Sequence, residues 1–251
     1  MARKHLVSVL AIGVLALSVG GAAFAEVPAY IAKAVADPSR PAADTARDAA
    51  RHPGEILAFA GVKPGDTVVD YAMGGGYFTR ILSAAVGPKG TVYAFQPAEF
   101  ISYKAQYGED QKTVTAALAN SKALSGPWTA LDLPDNVDLV ITVQNYHDMH
   151  LKPFPVDTAA KANAEIFKSL KPGGVFVVVD HAALPGAATA PDALHRIDIA
   201  QVKSEVEAAG FKLEAESPLL ASSADPHTAS VFDPSIRGKT DQFILKFRKP
   251  K

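Results

Sequence analysis

The chain has no cysteine. That absence excludes disulfide cross-links and the lipid anchor of a lipoprotein, so stability has to come from packing. Aromatic residues are few, 8% of 251 residues with Trp128 the single tryptophan. Neither sign of charge dominates, with 25 Lys and Arg against 26 Asp and Glu. The one basic cluster is the tail Lys246, Arg248, Lys249 and Lys251, read as a solvated terminus. A nucleic-acid partner is therefore not expected. Long apolar runs are missing too, except from Leu6 to Val19. That run is about 14 residues, short of the ~20 that span a bilayer. Arg3, Lys4 and His5 precede it, and Ala23-Phe24-Ala25 follows with small residues at −3 and −1. This is the order of a cleaved secretory signal. Residues 1–25 are expected to be removed, leaving a periplasmic or secreted protein with no membrane partner.

What remains divides into a helical segment, 26–60, and one domain, 61–251. In the first segment Asp44 is expected to cap a helix over 45–51, and a second helix runs from Pro53 to Ala60 before Gly61. The pair Arg47 and Arg51 then reads as a solvated helix face. Beyond Gly61, short apolar runs alternate with helical spacing. Thr67–Asp70, Thr91–Phe95, Val137–Val143 and Val175–Val179 read as buried strands. Tyr77–Val86, Ala159–Leu170 and Pro191–Ala209 read as helices. The stretch 98–136 should hold a helix and a third strand, but no run within it stands out. Lys212–Glu216 and Gln242–Phe247 close the domain. Such alternation implies an α/β doubly wound sheet covered on both faces. Trp128 is expected to plug the loop before the fourth strand.

The sequence Asp70-Tyr-Ala72-Met-Gly74-Gly75-Gly76-Tyr-Phe-Thr79 stands where a strand hands over to a helix. Glycines there let the chain turn sharply and let a ligand approach the main chain. Residues 61–95 resemble the first βαβ unit of the class I S-adenosylmethionine-dependent methyltransferases, whose motif is D-x-G-x-G-x-G. Leu170-Lys-Pro-Gly-Gly174, Ala208-Ala-Gly-Phe211 and Asp241-Gln-Phe-Ile-Leu245 fall in the order of that superfamily's later landmarks, so the likeness covers roughly 50–248. The turn Asn145-Tyr146-His147-Asp148 is similar to one in a bacterial group of exported members. The resemblance implies a Rossmann-like, seven-stranded sheet, mostly parallel with an antiparallel last strand, and S-adenosylmethionine as cofactor. It implies cofactor contacts from Asp70, Ala72, Gly74, Gly75, Gly76, Gln96 and Asn145. Two positions depart from the pattern. Ala72 replaces the first glycine and is expected to keep a negative φ. Gln96 ends the second strand where an acid usually meets the ribose hydroxyls, and Glu99 stands three residues on.

Ligands of an open α/β sheet bind beyond the carboxyl ends of the strands. His147, His150, His181, His195 and His227 all fall on segments expected there. An imidazole can remove a proton from a hydroxyl about to be methylated. His147 is the first candidate base, with Asp148 or Asp180 to orient it, and His181 the second. These residues could instead cap strand ends, or bind a metal through His147-x-x-His150, Asp148, Asp180 and His181. No spacing here matches a zinc pattern, so no metal is assigned. The long connection 218–240 suits a lid or binding loop. The leading reading is methyl transfer to a small-molecule oxygen nucleophile. The alternatives are an exported lyase or hydrolase, or a binding protein, reusing the same fold.

Overall fold

The computed structural model describes residues 26–130 and 132–251; the expected signal segment, 1–25, lies outside them. Ala29–Val35 (α1), Ala42–Thr45 (α2), Asp48–Arg51 (α3) and Pro53–Ala60 (α4) open the chain. Thr67–Tyr71 (β1), Tyr77–Val86 (α5) and Thr91–Pro97 (β2) follow as the first βαβ unit. Ala98–Tyr103 (α6), Gln106–Ala117 (α7) and Ser121–Gly126 (β3) fill the stretch that the sequence leaves unread. Val137–Val143 (β4) leads through a 3₁₀ turn, His147–His150, to Thr158–Ser169 (α8) and Leu170–His181 (β5). Ala190–Leu194 (α9), Ile199–Ala208 (α10), Lys212–Ser217 (β6) and Gln242–Arg248 (β7) complete it.

The strands form one seven-stranded sheet in the order β3-β2-β1-β4-β5-β7-β6. The first five run parallel, and β7 lies antiparallel between β5 and β6. This is the doubly wound architecture expected, with the antiparallel last strand in place. The pleat sends alternate residues to opposite faces. Val69, Val140, Phe176 and Val178 join one buried cluster with Ile166 of α8 and Val202 of α10. Val68, Leu139, Ile141 and Val177 join the other, under Ile56, Leu57, Ile81 and Leu82. Each such buried side chain contributes about 1.5–3 kcal/mol over its exposed state. Strand β4 pairs with β1 and β5, so its end lies centrally beside the glycine turn.

Two local expectations change. Asp44 caps nothing; it lies inside α2 and pairs with Arg47 at 2.6 Å and Arg80 at 2.9 Å. The helix expected over 191–209 is two helices, because His195 turns left-handed at φ 54° and Asp198 caps α10 by accepting the Ala200 N–H. Strand β3 has too few apolar residues to be read, since Ser121–Gly126 lies at the sheet's edge with exposed positions in its middle. Trp128 is the buried plug expected, packed in tilted and edge-on contacts with Tyr71, Phe95 and Phe100.

Candidate active site

The glycine turn starts where β1 leaves the sheet. Ala72 takes φ 65°, contrary to the negative value expected, because the Met73 N–H must reach back to the Phe95 carbonyl at 3.0 Å. Gly74 and Gly76 are also left-handed, at φ 55° and 82°. Their surroundings differ. A Cβ on Gly74 would meet nothing within 4 Å, whereas one on Gly76 would lie 2.8 Å from Val114 of α7. Gly74 therefore faces open space and Gly76 is a packing glycine. Gln96 is fully buried behind the turn, its Oε1 accepting the Gly74 N–H at 3.0 Å while its Nε2 has no partner. Glu99 does not stand in for it, because its carboxylate accepts the Trp128 N–H at 3.1 Å.

In front of the turn lies a cavity of about 240 Å³, with Asp70, Gly74, Gly75, Arg51, Gln144 and Asn145 among its walls. Burial pushes the Asp70 carboxyl up to about 6, against the opposing pull of the Thr79 hydroxyl at 2.5 Å and of Arg51. The N-terminal helices roof this cavity. Arg51 and Arg47 lie 4.4 and 4.9 Å from the centre of the Tyr77 ring, a cation–π distance. The Tyr77 hydroxyl donates to Asp48 at 2.5 Å, and Asp48 is held by Arg40 at 2.7 Å. Arg80 ties the Gly75 carbonyl to Asp44 at 2.9 Å each. Arg47 and Arg51 thus reach over the pocket's aromatic wall; they are not only a solvated face.

The second cluster follows β4. Gln144 is left-handed at φ 64°, and its N–H bonds the Val179 carbonyl at 2.7 Å, which swings the chain into the 3₁₀ turn. His147 is buried there. Asp180 accepts its backbone N–H at 2.7 Å and its Nδ1 at 2.8 Å, fixing the ring. Its Nε2 lies 3.2 Å from His195 Nδ1 and 3.4 Å from Asp148 Oδ1. Burial disfavours the charged imidazole, yet Asp180 and Asp148 outweigh it and raise His147 to about 9. His181 goes the other way, lowered to about 4 by burial, with Nδ1 on the Thr240 hydroxyl at 2.9 Å. Asn145 Nδ2 donates to Asp148 Oδ2 at 3.1 Å, joining the pocket wall to this cluster.

Known proteins bear on this geometry. Residues 69–178 match the family described as methyltransferase domain, over a span that includes the glycine turn, Gln96, Asn145 and His147. The chain resembles that family over this span. A ubiquinone/menaquinone biosynthesis C-methyltransferase of Hydrogenovibrio crunogenus is 30% identical over 124 residues, 49% of this chain and 45% of that one. The chain thus spans less than half the length of that curated relative. A SAM-dependent methyltransferase from Aquifex aeolicus shares the fold at TM-score 0.55 and 22% identity, over 78% of this chain and 89% of its own. The [4+2]-cyclase SpnF shares it at TM-score 0.56 and 18% identity, over 80% and 81%.

S-adenosylmethionine is the cofactor that such a methyltransferase domain takes, and the residues present fit it. Gly74 opens on free space, the Asp70 carboxyl lines the same cavity, and the Gln96 Nε2 donor is left without a partner. Of the cofactor residues read from sequence, Asp70, Ala72, Gly74, Gly75 and Asn145 line the cavity. Gln96 braces the turn from behind, and Gly76 sits against α7. Of the catalytic candidates, His147 and Asp148 come together, with Asp180 the partner that orients the ring. His181 is held aside by Thr240, its ring centre 6.2 Å from that of His147. His150 pairs with Glu205 at 3.0 Å, away from the set. Sequence reasoning missed the roles of Arg51, Tyr77 and Gln144, and did not pair His195 with His147. A signal for the last existed: Asp198 before Ile199 is an N-cap pattern that breaks the helix at His195.

Proposed function

We propose that the protein is an exported S-adenosylmethionine-dependent methyltransferase that methylates a small-molecule oxygen nucleophile. One observation carries this reading: a glycine turn with Gly74 facing open space, backed by a buried glutamine whose amide donor is unspent. When bound, the cofactor supplies an electrophilic methyl group. Gly74 and Gly75 let the backbone approach a ligand closely, and the Gln96 amide can donate to a ligand oxygen. The Asp70 carboxyl and the Arg51 guanidinium offer opposite charges across the cavity for a zwitterionic end. The acceptor side is polar. Asn145, Asp148 and His147 would orient a hydroxyl there and exchange its proton. Export rests on the signal-like pattern of residues 3–25. The curated relative is named for carbon methylation, and the cyclase shares only the fold.

The test is direct. The purified protein is incubated with S-adenosylmethionine and a panel of phenols, hydroxy acids and quinols, and products are read by mass spectrometry. Methyl ethers or esters are expected. Ring-methylated products would replace the oxygen acceptor by carbon, and turnover of the panel without S-adenosylhomocysteine release would support a non-methyl enzyme on this fold.

A further inference from the structure

Asp180 fixes more than the orientation of His147. It accepts both the backbone N–H and the Nδ1 of that residue, at 2.7 and 2.8 Å, and also the His181 N–H at 2.7 Å. With all these donors aimed at it, the carboxylate selects the tautomer that carries hydrogen on Nδ1. In the neutral ring the lone pair of His147 is then on Nε2, and Nε2 faces two further atoms able to ligate a cation. His195 Nδ1 is 3.2 Å away and Asp148 Oδ1 is 3.4 Å away. The third side, His195 Nδ1 to Asp148 Oδ1, measures 3.7 Å. A cation seated between these three atoms would be within reach of all of them.

The spacing suits a metal ion. Bonds of about 2.1 Å put neighbouring ligand atoms roughly 3.0–3.5 Å apart, from octahedral to tetrahedral geometry. We infer that His147, Asp148 and His195 form a binding site for a divalent first-row transition metal, with Asp180 as the carboxylate that orients and strengthens His147. Two imidazoles and one carboxylate favour zinc, manganese, iron or cobalt over calcium or magnesium, which take all-oxygen sets. A carboxylate behind a ligating histidine is the usual support for such a bond. The backbone pays for the arrangement with strain, since His195 holds a left-handed φ of 54° that aims its ring at His147. His195 is partly exposed, with its side chain at 29%, so an ion can enter and its open positions can take water or an oxygen ligand. On the methyltransferase reading, that ligand is the acceptor oxygen. The set differs from the one suggested by sequence alone, because His150 is committed to Glu205 and His181 to Thr240.

The experiment uses the full chain, stripped with a chelator and titrated with Co²⁺ and Zn²⁺ by calorimetry, with Co²⁺ absorption reporting coordination. One ion per chain with nitrogen-ligand absorption is expected. His195→Gly suits the left-handed backbone and should weaken binding at least about 100-fold with an unchanged circular-dichroism spectrum. Asp180→Asn should weaken it about 10–100-fold. His150→Gln should bind as the wild type does. Equal binding by His195→Gly, loss of binding in His150→Gln, or no binding by the folded wild type would each overturn the site. Binding of S-adenosylhomocysteine in chelator is measured on the same sample. A loss there with metal binding intact would fault the methyltransferase reading instead.

Discussion

His147 Nε2 and His195 Nδ1 stand 3.2 Å apart across 48 residues of sequence, their rings nearly perpendicular at 88°. The contact joins the turn after β4 to the break between α9 and α10, and so ties two separate segments to one point near the cavity at the glycine turn.

His147→Asn separates the chemistry of this residue from its structural tie. The asparagine amide can still donate to Asp180, as Nδ1 does, but has nothing at the Nε2 position. Turnover is expected to fall about 10²–10⁴-fold with little change in thermal midpoint. His147→Ala also strips Asp180 of its ring partner and should lose about 1–3 kcal/mol of stability. Kinetics and urea melts of both variants check this. Wild-type turnover in the folded asparagine variant would remove His147 from the reaction.

Asp70 makes stability depend on pH in an unusual direction for an acid. Burial raises its folded-state value to about 6 from 3.8, so the folded protein holds this proton more tightly than the unfolded chain. Its stabilising contribution is complete below pH 3.8, declines as pH rises through 6, and is lost above that. The shift corresponds to roughly 3 kcal/mol. Asp70→Asn should flatten this part of the profile and be more stable than wild type at pH 8. Denaturant melts from pH 4 to pH 8 measure it, and parallel profiles for the two proteins would contradict the assignment.

Arg196 and Asp225 form an ion pair at 2.8 Å with both side chains fully buried, and Arg196 also donates to the Ala229 and Ala182 carbonyls. These bonds pin the connection 218–240 to the end of β5. Arg196→Met leaves Asp225 without its countercharge and should cost about 3–5 kcal/mol. Hydrogen exchange should rise first in 218–240. A loss below about 1 kcal/mol would mean that the loop is anchored elsewhere.

The sheet was legible because its central strands are short apolar runs between turn residues, and Val137–Val143 and Val175–Val179 bury on both faces. β3 was not, since an edge strand such as Ser121–Gly126 needs little apolar surface. The glycine turn was read from its residue types and its place between a strand and a helix. The strain at Ala72 was not, because a positive φ there follows from the bond between Met73, in the turn, and Phe95 of β2. Among the site residues, His147 with Asp180 followed from the rule that ligands gather at strand ends. Arg51 and Tyr77 did not, because helices before the sheet come to roof the pocket only through packing on α5. His195 was read as helical, and only the break before Asp198 turns its ring inward.

The central claim is that the glycine turn binds the cofactor's nucleoside product, and calorimetry with S-adenosylhomocysteine tests it most directly. Gly74 stands at φ 55° facing open space, so Gly74→Val puts a β-branched side chain where the ligand must lie and on a backbone it resists. Saturable binding at one site per chain is expected for the wild type, with none detectable for a folded Gly74→Val protein. No binding by the wild type, or equal binding by the variant, would contradict the account.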